Sequence, residues 1–247
     1  MFSYNKGKPI ARFISGKNKG VKTLNISEKE NKDNIGVDVY FRDELIPVPD
    51  ITKRQILYIA GPSGAGKTTM ISHYIDTFKK VFKNTPIIIF SRKKSDPALD
   101  NKNIWWFPID ERIIEDPIDI TQEIKGGALI IFDDCATIQD DKLRKSVSKL
   151  MADILEVGRQ YNIYCIITSH LINPNERKDG RIIFNELDNL VIFPKSGNKY
   201  QMNYALNKYF GFDKKIIERI LNLNSRWVLI NKTYPNYCLY ENGAFII

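Results

Sequence analysis

Short, unbroken apolar runs recur along the chain at Gln55–Ala60, Pro86–Phe90, Ile104–Phe107, Ala128–Phe132 and Ile163–Thr168. Helix-like segments separate them, and that alternation predicts buried strands of a mostly parallel sheet covered on both faces. The clearest helix extends from about Asp140 to Tyr161, where Leu143, Val147, Leu150, Met151, Ile154 and Leu155 form one apolar stripe with Lys142, Lys145, Lys149 and Asp153 off it. Another follows at Thr69–Phe82. Further on, the pattern predicts a strand at Asn189–Pro194, helices at Asn198–Tyr209 and Asp213–Leu221 broken at Gly211, and a hairpin of Trp227–Asn231 with Tyr237–Tyr240 around Pro235-Asn236. Trp105, Trp106 and Trp227 each stand in an apolar stretch and are expected in the core.

The beginning of the chain reads differently. Residues 1–35 hold turn and charge signals such as Ser15-Gly16-Lys17-Asn18-Lys19-Gly20 and little apolar periodicity, which predicts a flexible arm. A short strand is expected at Val37–Phe41, and Ile46-Pro47-Val48-Pro49 then forces an extended connection. The division is therefore a basic arm over 1–35 and one α/β domain over 36–247, whose C-terminal helices and hairpin form an extension from about 189.

Composition narrows the class. With 43% hydrophobic and 27% charged residues among 247, the chain can bury an ordinary core, which excludes a disordered or low-complexity protein. No apolar run approaches the roughly 18 residues of a membrane helix, and the start lacks a signal-peptide core, so a protein that is not secreted is expected. Cys135, Cys165 and Cys238 are widely spaced, which predicts a reducing compartment rather than a disulfide framework. The net charge is +8, and Lys6, Lys8, Arg12, Lys17, Lys19 and Lys22 stand in residues 1–24 without a single acid. That segment is either a phosphate-neutralising arm or a solvated tail.

The chemistry begins at Gly61-Pro62-Ser63-Gly64-Ala65-Gly66-Lys67-Thr68-Thr69, a G-x-x-x-x-G-K-[ST] loop between a predicted strand and a predicted helix. Its glycines let backbone N–H groups turn in around a phosphate, and the helix start adds partial positive charge. Lys67 would reach the β- and γ-phosphates of ATP, and the Thr68 hydroxyl would hold Mg2+. Such a loop needs an acid at the end of a neighbouring buried strand. The Ala128–Phe132 run leads into Asp133, the candidate metal acid, and Asp134, the candidate general base for water. Ile163–Thr168 ends in Ser169-His170, where His170 would face the γ-phosphate or the attacking water. Arg159, Arg177 and Arg181 are candidates for a cation supplied to a neighbouring subunit.

The run Gly158-Arg159-Gln160-Tyr161-Asn162 through Thr168-Ser169-His170 resembles the glycine-arginine motif, strand and polar sensor of the FtsK–HerA division of P-loop ATPases. With the Gly61–Thr68 loop and Asp133-Asp134, it is similar to the genome-packaging ATPases of large DNA viruses of poxvirus type and of virophages. The likeness covers about residues 37–247. It implies an FtsK–HerA/RecA-like P-loop NTPase fold, ATP and Mg2+ as cofactors, and a ring, usually a hexamer, that threads double-stranded DNA into a capsid. Partners would be DNA and a capsid or portal-vertex protein, in the virion or a viral factory in the host cytoplasm. The resemblance places Arg159 at the motif arginine. Many relatives carry Gln at the place of His170, a departure that implies water positioning by a neutral imidazole. Two alternatives stay open. The loop is also similar to that of guanylate-type kinases, although the arginine-rich lid and the Thr-Thr-Arg-type stretch of those enzymes are missing. An ATP-switched DNA-binding or capsid-assembly factor is the non-enzymatic reading. Segment 173–181, with Arg177, Lys178 and Arg181, is a candidate pore or interface loop.

Overall fold

The computed structural model describes residues 1–27, 38–100, 102–124, 126–172 and 178–247. Its centre is a ten-stranded sheet. Six strands run parallel in the order β11 (Asn189–Ile192), β6 (Ile56–Ala60), β10 (Ile163–Ser169), β9 (Ala128–Asp133), β7 (Ile87–Ser91) and β8 (Trp105–Pro108). Beyond β11 the sheet continues antiparallel through β12 (Val228–Asn231), β13 (Tyr237–Tyr240), β14 (Gly243–Ile246) and β4 (Asp38–Tyr40). The expected hairpin is thus present, and two further strands extend it to the sheet edge.

Alternation along each parallel strand explains why the apolar runs are continuous. In β6, Ile56, Tyr58 and Ala60 point into one core layer and Leu57 and Ile59 into the other; Ile130 and Phe132 of β9 oppose Leu129 and Ile131 in the same way. The first layer is closed by α2 (Arg112–Glu115), α3 (Ile120–Glu123), α4 (Asp141–Glu156), α5 (Lys178–Glu186), α6 (Lys199–Phe210) and α7 (Lys214–Leu221). The second is closed by α1 (Lys67–Val81) through Met70, Ile71, Tyr74, Ile75 and Phe78. A strand buried on both faces has no position at which a polar side chain would be solvated. The helix stripe expected over 140–161 is α4 followed by a 3-10 turn at Gly158–Tyr161, with Asp140 capping α4 through the Leu143 N–H. Gly211, at φ 68°, ends α6 in a left-handed cap that a β-carbon would strain.

The flexible arm expected over 1–35 is corrected for its described part. Residues 1–27 form β1 (Phe2–Ser3), β2 (Lys8–Phe13) and β3 (Thr23–Ile26), which join β5 (Leu45–Pro47) in a separate four-stranded sheet ordered β1-β3-β2-β5. Ile10, Ala11, Phe13, Leu24 and Ile26 are buried and belong to the same core layer as α1. The physical reason is that these strands are short and carry Lys8, Arg12 and Asn25 among few apolar positions, so no sustained apolar period marks the run in one dimension. Lys8 pairs with the buried Asp50, and the Lys22 ammonium lies 4.9 Å over the Tyr4 ring, so part of the basic surplus is spent inside the fold.

Two smaller expectations also change. Trp105 is 66% exposed and Phe107 is exposed beside it on the edge strand β8, whereas Trp227 is buried as expected. An edge strand has one neighbour and a partly open face, so apolar composition does not guarantee burial there. Of the segment expected as a loop over 173–181, residues 173–177 lie outside the described residues, and 178 onward begins α5.

Candidate active site

Because the parallel strands share a direction, their carboxyl ends meet along one edge of the sheet, and the candidate residues of β6, β9 and β10 are brought together there. β6 enters the loop at Gly61, whose N–H donates to the Ser169 carbonyl at 3.0 Å and so ties the loop to the end of β10. Gly61 has no room for a side chain: a β-carbon would lie 2.5 Å from Phe193 Cδ2. Gly66, at φ 108°, occupies the N-cap of α1, a backbone conformation reserved in practice for glycine. Among the remaining loop residues, Ser63, Gly64 and Thr69 are exposed and Pro62, Ala65 and Thr68 half-buried at the mouth of the helix.

Lys67 is 8% exposed and folds its ammonium back over the loop, donating to the Gly61 carbonyl at 2.9 Å. The same ammonium is 3.4 Å from His170 Nδ1 and 3.9 Å from Asp134 Oδ1. Burial lowers its pKa below the ordinary lysine value, and the Asp134 and Asp133 carboxylates only partly offset that. His170 Nε2 stands 3.1 Å from Asp134 Oδ2. An ammonium can only donate, so Nδ1 accepts and the imidazole proton is placed on Nε2, directed at Asp134.

The two acids are held by hydroxyls. Asp133 Oδ1 accepts from Thr168 Oγ1 at 3.0 Å and Oδ2 from Ser91 Oγ at 3.1 Å, with the Lys93 ammonium 3.8 Å away. Thr168 Oγ1 also accepts from the Asp134 N–H at 2.9 Å, so one side chain spans both carboxylate residues. Asp134 itself is left-handed, φ 50° and ψ 37°, an unusual backbone state for a residue with a side chain. This turn directs its carboxylate toward Lys67 and His170. Asp134 Oδ1 is buried with no hydrogen-bond partner, an acceptor that the fold aims at the space before the loop.

These features test the fit of the expected cofactors. The donor set near the loop consists of Thr68 and the carboxylates of Asp133 and Asp134, all hard oxygen ligands of the kind that suits magnesium held partly by phosphate and water. No cluster of three or more His, Cys, Asp or Glu able to hold a metal exists among the described residues, so a metal here would depend on the phosphates it accompanies. The exposed, partly glycine-built loop above a helix start fits a phosphate chain.

Arg159 is the candidate that the fold does not bring to this site. It is exposed on the 3-10 turn that precedes β10, at the amino end of that strand, whereas the loop meets its carboxyl end. The seven residues of β10 separate the two ends by roughly 20 Å. Arg181 lies on α5, and Arg177 is outside the described residues. Thr168 and Ser91 carry no motif of their own in the sequence. The usable signal was the polar residue ending each apolar run, because parallel strands place those ends side by side.

No protein-family model matches the chain. The uncharacterized protein V3 of Sputnik virophage is 41% identical over 238 residues, covering 96% of this chain and 94% of V3. Among solved structures, the conjugation coupling protein TcpA of pCW3, in its monomer form with ATPγS, aligns with a TM-score of 0.53 at 12% identity over 97% of this chain and 77% of its own. The DNA-packaging ATPase B204 of Sulfolobus turreted icosahedral virus aligns with a TM-score of 0.50 at 14% identity over 72% of this chain and 92% of its own. The loop, the parallel order of the strands and these likenesses agree: the chain belongs to the family of Sputnik virophage protein V3 and has an α/β fold with a large, mostly parallel sheet flanked by helices, the fold of P-loop NTPases.

Proposed function

We propose that this protein is the ATPase of a viral DNA-packaging motor, with residues 36–247 as its catalytic domain, coupling ATP hydrolysis to translocation of double-stranded DNA into a capsid. The observation that carries the reading is the polar constellation at the carboxyl end of the sheet, in which Asp134 faces both Lys67 and His170 while Thr168 ties it to Asp133. The packaging role is suggested by the likeness to B204, and the virophage relative V3, itself uncharacterized, supports a viral setting.

The chain's own groups divide the work as follows. The Gly61–Thr68 loop and Lys67 bind and orient the triphosphate, with Thr69 at the start of α1 beside them. Thr68 and Asp133 would hold Mg2+, which supplies charge neutralisation on the phosphates. Asp134 accepts a proton from, or orients, the attacking water, and His170 fixes the carboxylate through Nε2. Lys67, withdrawn onto Gly61 O and beside Asp134, links phosphate binding to the state of the base. Arg159 would serve a neighbouring active site within a homo-oligomeric ring, probed as a hexamer, because its own site is out of reach. A capsid or portal-vertex protein would be the docking partner, and the virion or the viral factory the place of work. No helix among the described residues is long and apolar enough to cross a membrane.

The test is phosphate release from ATP measured with and without duplex DNA, in wild type and Asp134→Asn. Duplex DNA should accelerate wild-type turnover, and the substitution should lower kcat about 100-fold or more while DNA binding persists. Turnover that requires a nucleoside monophosphate as acceptor would replace the motor by a nucleotide kinase. Unchanged turnover in Asp134→Asn would remove the catalytic assignment and favour an ATP-switched binding factor.

A further inference from the structure

Beside the phosphate loop lies a cleft that the catalytic constellation does not use. It is lined by Met70 and His73 of α1, Phe193 after β11, Trp227 before β12 and Ile14, the residue that follows β2. The chain segments concerned are remote in sequence and meet only through the tertiary fold. The cavity measures about 150 Å³, the size of an apolar pocket that takes up a single aromatic ring in a protein interior. Gly66 and Thr69 also line it, so the cleft adjoins the phosphate loop directly.

The position of the cleft is as informative as its lining. The loop follows β6, and the sheet places Asp134 and His170 on the β10 and β9 side of it. The cleft lies on the opposite side, against residues that flank β11 and β12. A triphosphate lying along the loop with its terminal phosphate at Asp134 and His170 therefore points its other end toward the cleft. The rim is charged and fixed in place. The Arg226 guanidinium pairs with Glu241, the Glu241 carboxylate also takes the Arg226 N–H at 2.6 Å, and Glu44 Oε2 lies 3.9 Å from the same guanidinium. Apolar walls with a few fixed polar groups at the edge are what a heteroaromatic base requires: stacking and desolvation for its faces, donors and acceptors for its periphery.

We propose that this cleft binds the base of a nucleoside triphosphate, and that the N-terminal sheet, through Ile14 and Glu44, is one wall of the nucleotide site. The inference rests on the reading of Gly61–Thr68 as a triphosphate-binding loop. It gives the margin of the N-terminal sheet, where Ile14 follows β2 and Glu44 precedes β5, a direct part in nucleotide recognition, distinct from any DNA contact made by its lysines.

Calorimetric titration of the full chain with a non-hydrolysable ATP analogue and with inorganic tripolyphosphate separates the two claims. The wild type should bind the analogue at least about tenfold more tightly than tripolyphosphate, and Ile14→Trp, which fills the cleft, should remove about that factor for the analogue while leaving tripolyphosphate within about twofold. Equal losses for both ligands, or no loss for either, would overturn the cleft while the loop assignment stood. A wild type that binds neither ligand would overturn both. Should Ile14→Trp fail to fold, wild-type protein photolabelled with an azido-adenine nucleotide decides the matter. Label on peptides containing Ile14 or Trp227, displaced by ATP and not by tripolyphosphate, supports the cleft; label confined elsewhere refutes it.

Discussion

At the residue scale, the site depends on a few side chains that hold the paired acids in place. Thr168 is 1% exposed, and its single hydroxyl donates to Asp133 and accepts from the Asp134 N–H. A valine of nearly the same shape would strand both groups, and an unsatisfied buried polar group costs about 1–3 kcal/mol. Thr168→Val should therefore lower kcat by about 10- to 100-fold with a small change in KM, and Thr168→Ser should restore most of it. Steady-state kinetics on the two variants makes the check, since a residue that merely filled space would be replaced better by Val than by Ser. Lys67, Asp133, Asp134 and His170 were all legible in the sequence because motif spacing and the ends of apolar runs mark them. Thr168 was not singled out, since within Ile163–Thr168 it reads as one more β-branched strand residue. Only the register of β10 against β9 sets it opposite the paired acids.

At the scale of elements, the unexpected component is the N-terminal sheet, anchored to the body of the protein by the Lys8–Asp50 pair. Asp50 is 1% exposed. Burial alone would raise its pKa, but the Lys8 ammonium together with the Thr52 hydroxyl and N–H outweighs that and holds the carboxyl below its ordinary value of 3.8. A carboxyl depressed on folding stabilises the native state at every pH above its unfolded value, and that contribution drains away as pH falls below 3.8 through the lower folded value. The expected outcome is that Asp50→Asn is less stable than wild type at neutral pH and that the gap in urea midpoint narrows once the pH drops below 3.8. A gap independent of pH would show that the pair contributes nothing through its charge. The sheet is hard to see in the sequence because its strands are short and broken by charged residues. Ile10, Ala11 and Phe13 are separated by Arg12 and bounded by Lys8 and Gly16-Lys17, a pattern that a solvated tail shares. The central strands carry no such ambiguity, as both their faces are covered by helices or by the second sheet.

For the whole molecule, the sheet divides the chemistry between its two ends. The Gly61–Thr68 loop and the acids occupy the carboxyl end, and Arg159 stands at the amino end. If Arg159 acts, it acts on a neighbour, so Arg159→Ala and Lys67→Ala subunits, each inactive alone, should regain about a quarter of wild-type ATPase activity when mixed in equal amounts, because head-to-tail contacts let the intact site of one meet the arginine of the other. A mixture as inactive as its two parents would assign the arginine to a structural role. The exposed Trp105 and Phe107 on the edge strand are a reminder that composition does not report which strand lies at an edge. The sequence by itself determined the α/β class, the parallel core, the loop and the acid pair, because those features are carried by local periodicity and fixed spacing. Only the tertiary structure decided the ordered sheet at the chain's start, the hydroxyl that spans the two acids, the distance of Arg159 from the loop and the cleft beside it. Each of these depends on which strands become neighbours. That choice is made by burying two faces of one sheet at once, and no window along the chain contains it.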